Sequence, residues 1–282
     1  MSVKILIDSA SDLSESESKT LGVGLLPIKI QFGDDEFLDG VTLLKNEFYE
    51  KLALSKELPK TSLINEFQFQ ETFKELTSNG DEVVVITLSS KLSGTYRCAV
   101  AAAQNFADKV FVVDSLNACL GEKLLCEYAI KLASQGLSAK EIADELENKK
   151  SKINVVAIID TLKYLKMGGR ISAATAFVGE MLSIKPMIAV LDGEVKVVGK
   201  CHGLKKGFIA ICDAVNKKGG IDFDMPHGLI WSGIDQTNIN NFKIASEKLW
   251  KENESDISLS QLGSTIGSHI GPGAIGIAFF EK

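Results

Sequence analysis

The sequence predicts an α/β chain in two parts, a parallel sheet flanked by helices followed by a mixed α+β half. Strand-like and helix-like segments alternate through the first 150 residues, the order expected of parallel strands joined by helical crossovers. Asp192-Gly193 then separates two strand-like runs, a two-residue hairpin signal that a purely parallel sheet does not contain. At 282 residues and 45% hydrophobic content, the chain can bury the cores of two such units. The change of pattern divides it into an amino-terminal domain, 1–151, and a carboxy-terminal domain, 152–282. A cleft between the two is the expected ligand site.

Residues 3–8 open the chain as a strand, and Ser14 with Glu17 has capping-box spacing for a short helix. Residues 25–32 read as extended, with Pro27 suited to the beginning or an edge because it lacks an amide proton. Residues 66–77 have helical character and end at Asn79-Gly80. The β-branched run 83–86 is a buried strand, followed by an alanine-rich helix over 96–106 and a strand over 110–114. A long helix spans 120–134, and Ser138 begins a charged amphipathic one that ends near Lys150. Beyond it come strands over 152–159, 187–191, 194–199, 229–232, 258–262 and 274–280, with helices over 204–217 and 238–253. Asp8, Ser93 and Asp114-Ser115 fall beyond the carboxyl ends of the parallel strands, where such sheets bind ligands.

A net charge of -6 without a basic run excludes a general attraction to nucleic acid. The amino terminus enters a strand at once and offers no signal peptide, and no apolar segment has membrane-spanning length, so a cytoplasmic location is expected. The five cysteines include no Cys-x-x-Cys pair and read as buried thiols. The three histidines are scattered, with only Cys201-His202 adjacent, which argues against a metal site. Gly22-Val23-Gly24 is followed by strand-like residues and is no dinucleotide loop.

Four segments carry groups suited to one anion. Ser93-Gly94-Thr95 lies between a strand and a helix whose first amides lack intrahelical partners and favour a phosphate or carboxylate. Ser93 and Thr95 add hydroxyl donors, and either also fits a plain helix cap. Gly168-Gly169-Arg170-Ile171-Ser172 pairs flexible backbone with a guanidinium fork matched to an oxyanion, or is a helix stop with an exposed arginine. Thr61-Ser62 precedes Asn65-Glu66 and also fits a cap. His269 stands just before a Gly-Pro-Gly turn, as a ligand group or as a structural histidine. Asp8-Ser9 and Asp114-Ser115 also suit backbone satisfaction at strand ends.

These segments, in this order, resemble the bacterial DegV family. The likeness runs from Asp8-Ser9 through Lys60-Thr61-Ser62, Ser90-Lys91-Leu92-Ser93-Gly94-Thr95-Tyr96 and Asp114-Ser115. It continues through Asp160-Thr161-Leu162-Lys163-Tyr164-Leu165-Lys166-Met167-Gly168-Gly169-Arg170-Ile171-Ser172 and Lys185-Pro186 to His269-Ile270-Gly271-Pro272-Gly273-Ala274. The resemblance implies a two-domain protein that holds one long-chain fatty acid and has no catalytic residue, cofactor or metal of its own. It implies that Thr61-Ser62 and Ser93-Gly94 contact the carboxyl, with Thr95 in the same turn and Arg170 and His269 near the head group. It also implies a partner, a separate ATP-dependent fatty acid kinase subunit that makes an acyl phosphate for phospholipid synthesis, and it allows transient membrane contact.

For the acyl tail, Phe177, Met181 and Leu182 are candidate tunnel walls, although core packing explains them equally well. Two departures stand out: family members commonly carry an arginine where this chain reads Lys200-Cys201-His202, and many have serine at the position of Cys119. The alternative is a serine hydrolase with Ser93 as nucleophile, His269 as base and Asp8 or Asp114 as orienter. Against it, Lys91 and Thr95 occupy the glycine positions of a Gly-x-Ser-x-Gly elbow. A phosphate-ligand enzyme built on Arg170 and the helix amides is a third reading, one with no need for a long apolar tunnel.

Overall fold

A computed structural model describes residues 2–171, 184–250 and 257–282. The first half runs β1 (Val3–Asp8), α1 (Glu15–Leu21), β2 (Gly24–Leu26), β3 (Lys29–Phe32), β4 (Asp35–Leu38), α2 (Lys45–Leu54) and β5 (Lys60–Ser62). It continues through α3 (Glu66–Leu76), β6 (Glu82–Thr87), α4 (Thr95–Ala103), β7 (Val110–Asp114), α5 (Leu120–Ser134) and α6 (Ala139–Lys149). Four strands pair in parallel in the order β2-β1-β6-β7. Both faces of this sheet are apolar because successive side chains alternate sides. Ile5, Ile7, Val84 and Ile86 join the core containing α5, whereas Leu6, Val83 and Val85 pack in the core of Phe69 and Phe73.

The second half contains β8 (Ile153–Ile158), α7 (Lys163–Met167), β9 (Ile184–Leu191), β10 (Glu194–His202), α8 (Leu204–Lys217) and β11 (His227–Trp231). After these come α9 (Thr237–Ala245), α10 (Glu247–Trp250), β12 (Ser258–Gln261), α11 (Ser264–Ile270) and β13 (Ile275–Phe280). Its six strands form one mixed sheet in the order β10-β9-β8-β13-β11-β12, with only β11 and β12 parallel. Asp192 and Gly193 both have positive φ, at 52° and 81°, as the expected hairpin turn between β9 and β10 requires. Helix α5 packs between the two large sheets, touching β1 and β6 on one side and β8, β11 and β13 on the other. The α/β architecture with a parallel sheet and a separate mixed sheet is therefore the one the sequence predicts.

Helices α2 and α11 answer to no element expected from the sequence, and three further details differ. The extended segment 25–32 is two strands, split at Pro27-Ile28: β2 ends the parallel sheet, and β3 becomes the centre of a small antiparallel sheet, β4-β3-β5. Thr61 and Ser62 lie in β5 of that sheet rather than capping a helix; Asn65 caps α3 through a capping box with Gln68. The helix expected over 238–253 breaks at Ser246, whose hydroxyl donates to the Phe242 carbonyl at 2.7 Å and accepts from Trp250 Nε1 at 2.9 Å. Residues 251–253 lie outside the described residues, as do Phe177, Met181 and Leu182.

Candidate functional site

A cavity of about 280 Å³ lies between the carboxyl ends of the parallel strands and one face of the mixed sheet. Strand alternation makes that wall apolar. Val155 and Ala157 of β8 and Ile230 of β11 line the cavity, whereas Val156, Ile158, Leu229 and Trp231 turn to the opposite core. Leu88 and Ala118 close it from the parallel-sheet side. Among the described residues most of the lining is hydrocarbon, with a polar group of Thr61, Ser62, Ser93, Gly94, Arg170 and His269, and Thr265 one helical turn before His269. Ser62 is exposed and Leu63, also a lining residue, is 48% exposed, so the cavity meets solvent beside the polar group.

Each polar side chain is held by local geometry. Ser93 N–H donates to the Ser89 carbonyl at 3.1 Å, and Ser93 Oγ accepts from Thr95 N at 3.2 Å. Gly94 begins α4 without a side-chain cap, and a Cβ there would stand 3.0 Å from Leu63 Cδ2, so glycine keeps this wall open. Arg170 follows α7 and is braced by two carbonyls, with Nε donating to Leu92 O at 3.2 Å and Nη1 to Gly168 O at 2.5 Å. Among the described residues these bonds leave Nη2 for a ligand. His269, near the end of α11, meets Thr61 Oγ1 through Nε2 at 3.0 Å. Its Nδ1 is buried and lacks a hydrogen-bond partner among the described residues.

Burial, with the nearby Arg170 charge, pushes His269 down to about 4. The imidazole is therefore neutral at pH 7, and Arg170 supplies the positive charge of the polar group. A neutral imidazole, hydroxyls and one guanidinium suit an ionised carboxyl, while the hydrocarbon walls suit an acyl chain.

Of the residues singled out in the sequence, Thr61, Ser62, Ser93, Gly94, Arg170 and His269 converge on this cavity. Thr95 does not line it: fully buried, its hydroxyl lies 3.0 Å from Ser93 Oγ and accepts from Ile64 N at 3.3 Å. Cys119 is more than a core thiol, since it lines the cavity with an unusual backbone, φ 51° and ψ -141°. Lys200, Cys201 and His202 end β10 and do not line the cavity. Thr265, also a lining residue, carried no signal in the sequence, because no helix was expected before His269.

The hydrolase arrangement is not assembled. Asp8 accepts from the amides of Ala10 and Leu88, and Asp114 from those of Ser90 and Leu116, so both carboxyls hold backbone turns. Among the described residues, His269 spends Nε2 on Thr61 and has no orienting carboxylate on Nδ1. Among the described residues, no group of three or more His, Cys, Asp or Glu is placed to hold a metal, and no helix is long and apolar enough to cross a membrane.

A family model described as "Uncharacterised protein, DegV family" matches residues 2–282. The chain belongs to the DegV family. A DegV domain-containing protein of Caldanaerobacter subterraneus subsp. tengcongensis is 36% identical over 286 residues, covering 99% of both chains. Among solved DegV structures, a fatty-acid-binding DegV family protein from Thermus thermophilus matches with a TM-score of 0.88 and 29% identity over 100% of both chains. DegV of Bacillus subtilis, a fatty acid binding protein, matches at TM-score 0.83 and 27% identity, again over 100% of both.

Proposed function

We propose that this protein is a carrier that binds one long-chain fatty acid and performs no catalysis itself. The observation that carries the reading is the pairing of hydrocarbon walls with one polar group at a cavity open beside Ser62 and Leu63. Fatty acid binding by the Thermus thermophilus and Bacillus subtilis DegV proteins supports it. In this reading the hydroxyls of Thr61, Ser62 and Ser93 and the Gly94 amide hold the carboxylate. Arg170 balances its charge, neutral His269 orients Thr61, and Thr95 braces Ser93 from behind. The tail lies against Val155, Ala157 and Ile230, and each buried methylene contributes about 0.8 kcal/mol, so most affinity resides in the chain. Phe177, Met181 and Leu182 remain candidate tunnel walls.

The carrier presents the exposed end of its cargo to a separate ATP-dependent fatty acid kinase. The product is an acyl phosphate for phospholipid synthesis, made in the cytoplasm, and the reading allows transient contact of the carrier with a membrane. The domain boundary falls at residues 151–152, just before β8.

Competition between a fluorescent fatty acid and oleate, oleyl alcohol or methyl oleate tests the reading. Oleate displaces the probe at least tenfold better than its neutral analogues, consistent with a charge-assisted hydrogen bond. Equal displacement by all three overturns the carboxylate assignment, and steady hydrolysis of the methyl ester, abolished in Ser93→Ala, overturns the carrier reading.

A further inference from the structure

Helix α11 brings Thr265 and His269 to the cavity, yet its own N-cap is Gly263, which has no side chain to satisfy the first amides. Two buried aspartate side chains from the other half of the chain take that role. Asp39 Oδ1 accepts from Ser264 N at 2.9 Å, and its Oδ2 accepts from Thr265 N at 3.1 Å and Thr265 Oγ1 at 2.6 Å. Asp12 Oδ1 accepts from Gly263 N at 2.6 Å. A Cβ at residue 263 would lie 3.1 Å from Asp39 Oδ1 and 3.3 Å from Asp12 Oδ1, which explains glycine at this cap. Asp39 is 2% exposed and makes its contacts across 225 to 226 residues of chain.

We infer that Asp39 is a positioning residue for the ligand site, capping α11 from across the chain and thereby setting where Thr265 and His269 stand. The bond to the Thr265 hydroxyl also removes that proton from competition for the ligand. His269 is four residues further along the same helix, about 6 Å at 1.5 Å per residue, so displacement of the capped end is carried to the imidazole. Tyr49 supports the same segment by donating to the Leu262 carbonyl at 3.0 Å. This inference deepens the carrier reading and rests on it for its functional consequence, but the link between Asp39 and His269 is measurable without a ligand.

The test uses the full chain labelled with ¹⁵N-histidine; its three histidines, His202, His227 and His269, keep the spectrum simple. Asp39→Asn keeps the size but turns an amide NH₂ toward two donors. In the ligand-free protein the His269 imidazole signals shift while those of His202 and His227 hold, and the Kd for oleate rises on the order of tenfold. Thr265→Val shifts His269 in the same way and Thr265→Ser restores it, a pair that decides the matter if Asp39→Asn does not fold. Unmoved His269 signals in folded Asp39→Asn, or in Thr265→Val, overturn the inference. Failure of the wild-type protein to bind oleate instead overturns the carrier reading and leaves the histidine comparison intact.

Discussion

Thr61 Oγ1 and His269 Nε2 lie 3.0 Å apart although 208 residues separate them, joining β5 of the small sheet to α11 at the mouth of the cavity. Gly168 lies against the same imidazole, and a Cβ there would run into His269 Nδ1. Because Gly168 has φ -74°, alanine fits its backbone without strain. Gly168→Ala should therefore keep the fold, push the ring from Thr61 and weaken oleate binding by roughly tenfold, the scale of one lost hydrogen bond. Calorimetric titration measures it; unchanged affinity in a folded variant removes His269 from the site.

Arg170 supplies charge through an orientation fixed by the carbonyls of Leu92 and Gly168. Arg170→Gln should weaken oleate binding by about ten- to a hundredfold while affecting oleyl alcohol little, as expected from loss of a charged hydrogen bond. Arg170→Lys keeps the charge and loses the planar fork, so its affinity falls between the two. Equal losses for acid and alcohol would mean that Arg170 shapes the wall and not the head-group charge.

The depressed pKa of His269 predicts a pH effect with a definite sign. The unfolded chain protonates this residue near 6.5, whereas the folded protein resists until about 4. Its contribution to stability is therefore complete above pH 6.5 and is lost as pH falls from 6.5 toward 4. Asp8 and Asp12, pushed up by burial from 3.8 to about 7 and about 8, act oppositely, their contribution complete below pH 3.8 and fading as pH rises from there toward those values. Comparison with His269→Gln cancels them. Between pH 8 and pH 5, denaturant melts should show wild type losing about 2 kcal/mol more than the variant; parallel curves would mean the imidazole is not desolvated.

Ala157 lines the cavity from the centre of the mixed sheet and is 6% exposed. Ala157→Leu adds hydrocarbon where the tail is assigned, with overpacking costing about 1–3 kcal/mol of stability if the cavity cannot take it up. Affinity for a long acid should fall more than affinity for a short one, measured by displacement across a chain-length series. A uniform loss would relocate the tail.

The parallel sheet and the hairpin were legible because β-branched runs and Asp192-Gly193 encode local geometry. Most of the polar group was legible too, since Ser93 and Arg170 adjoin glycines that mark close backbone approach and His269 leads into a Gly-Pro-Gly turn. Thr61 and Ser62 gave a helix-cap signal instead, because a three-residue strand carries no periodicity and depends on β3 for its pairing. Asp39 and Thr265 were invisible for a related reason: their meaning lies in hydrogen bonds spanning 226 residues, and only Gly263 marks the place locally. Cys119 looked like core because sequence does not distinguish a wall of a cavity from a packed interior.

Native mass spectrometry of freshly purified protein, followed by lipid extraction, shows whether the cavity carries a fatty acid. A population heavier by the mass of one long-chain fatty acid per chain, lost in Ala157→Leu and identified in the extract, is the predicted result. A reproducibly lipid-free protein that takes up no oleate when it is added would mean that the cavity is not a fatty-acid site.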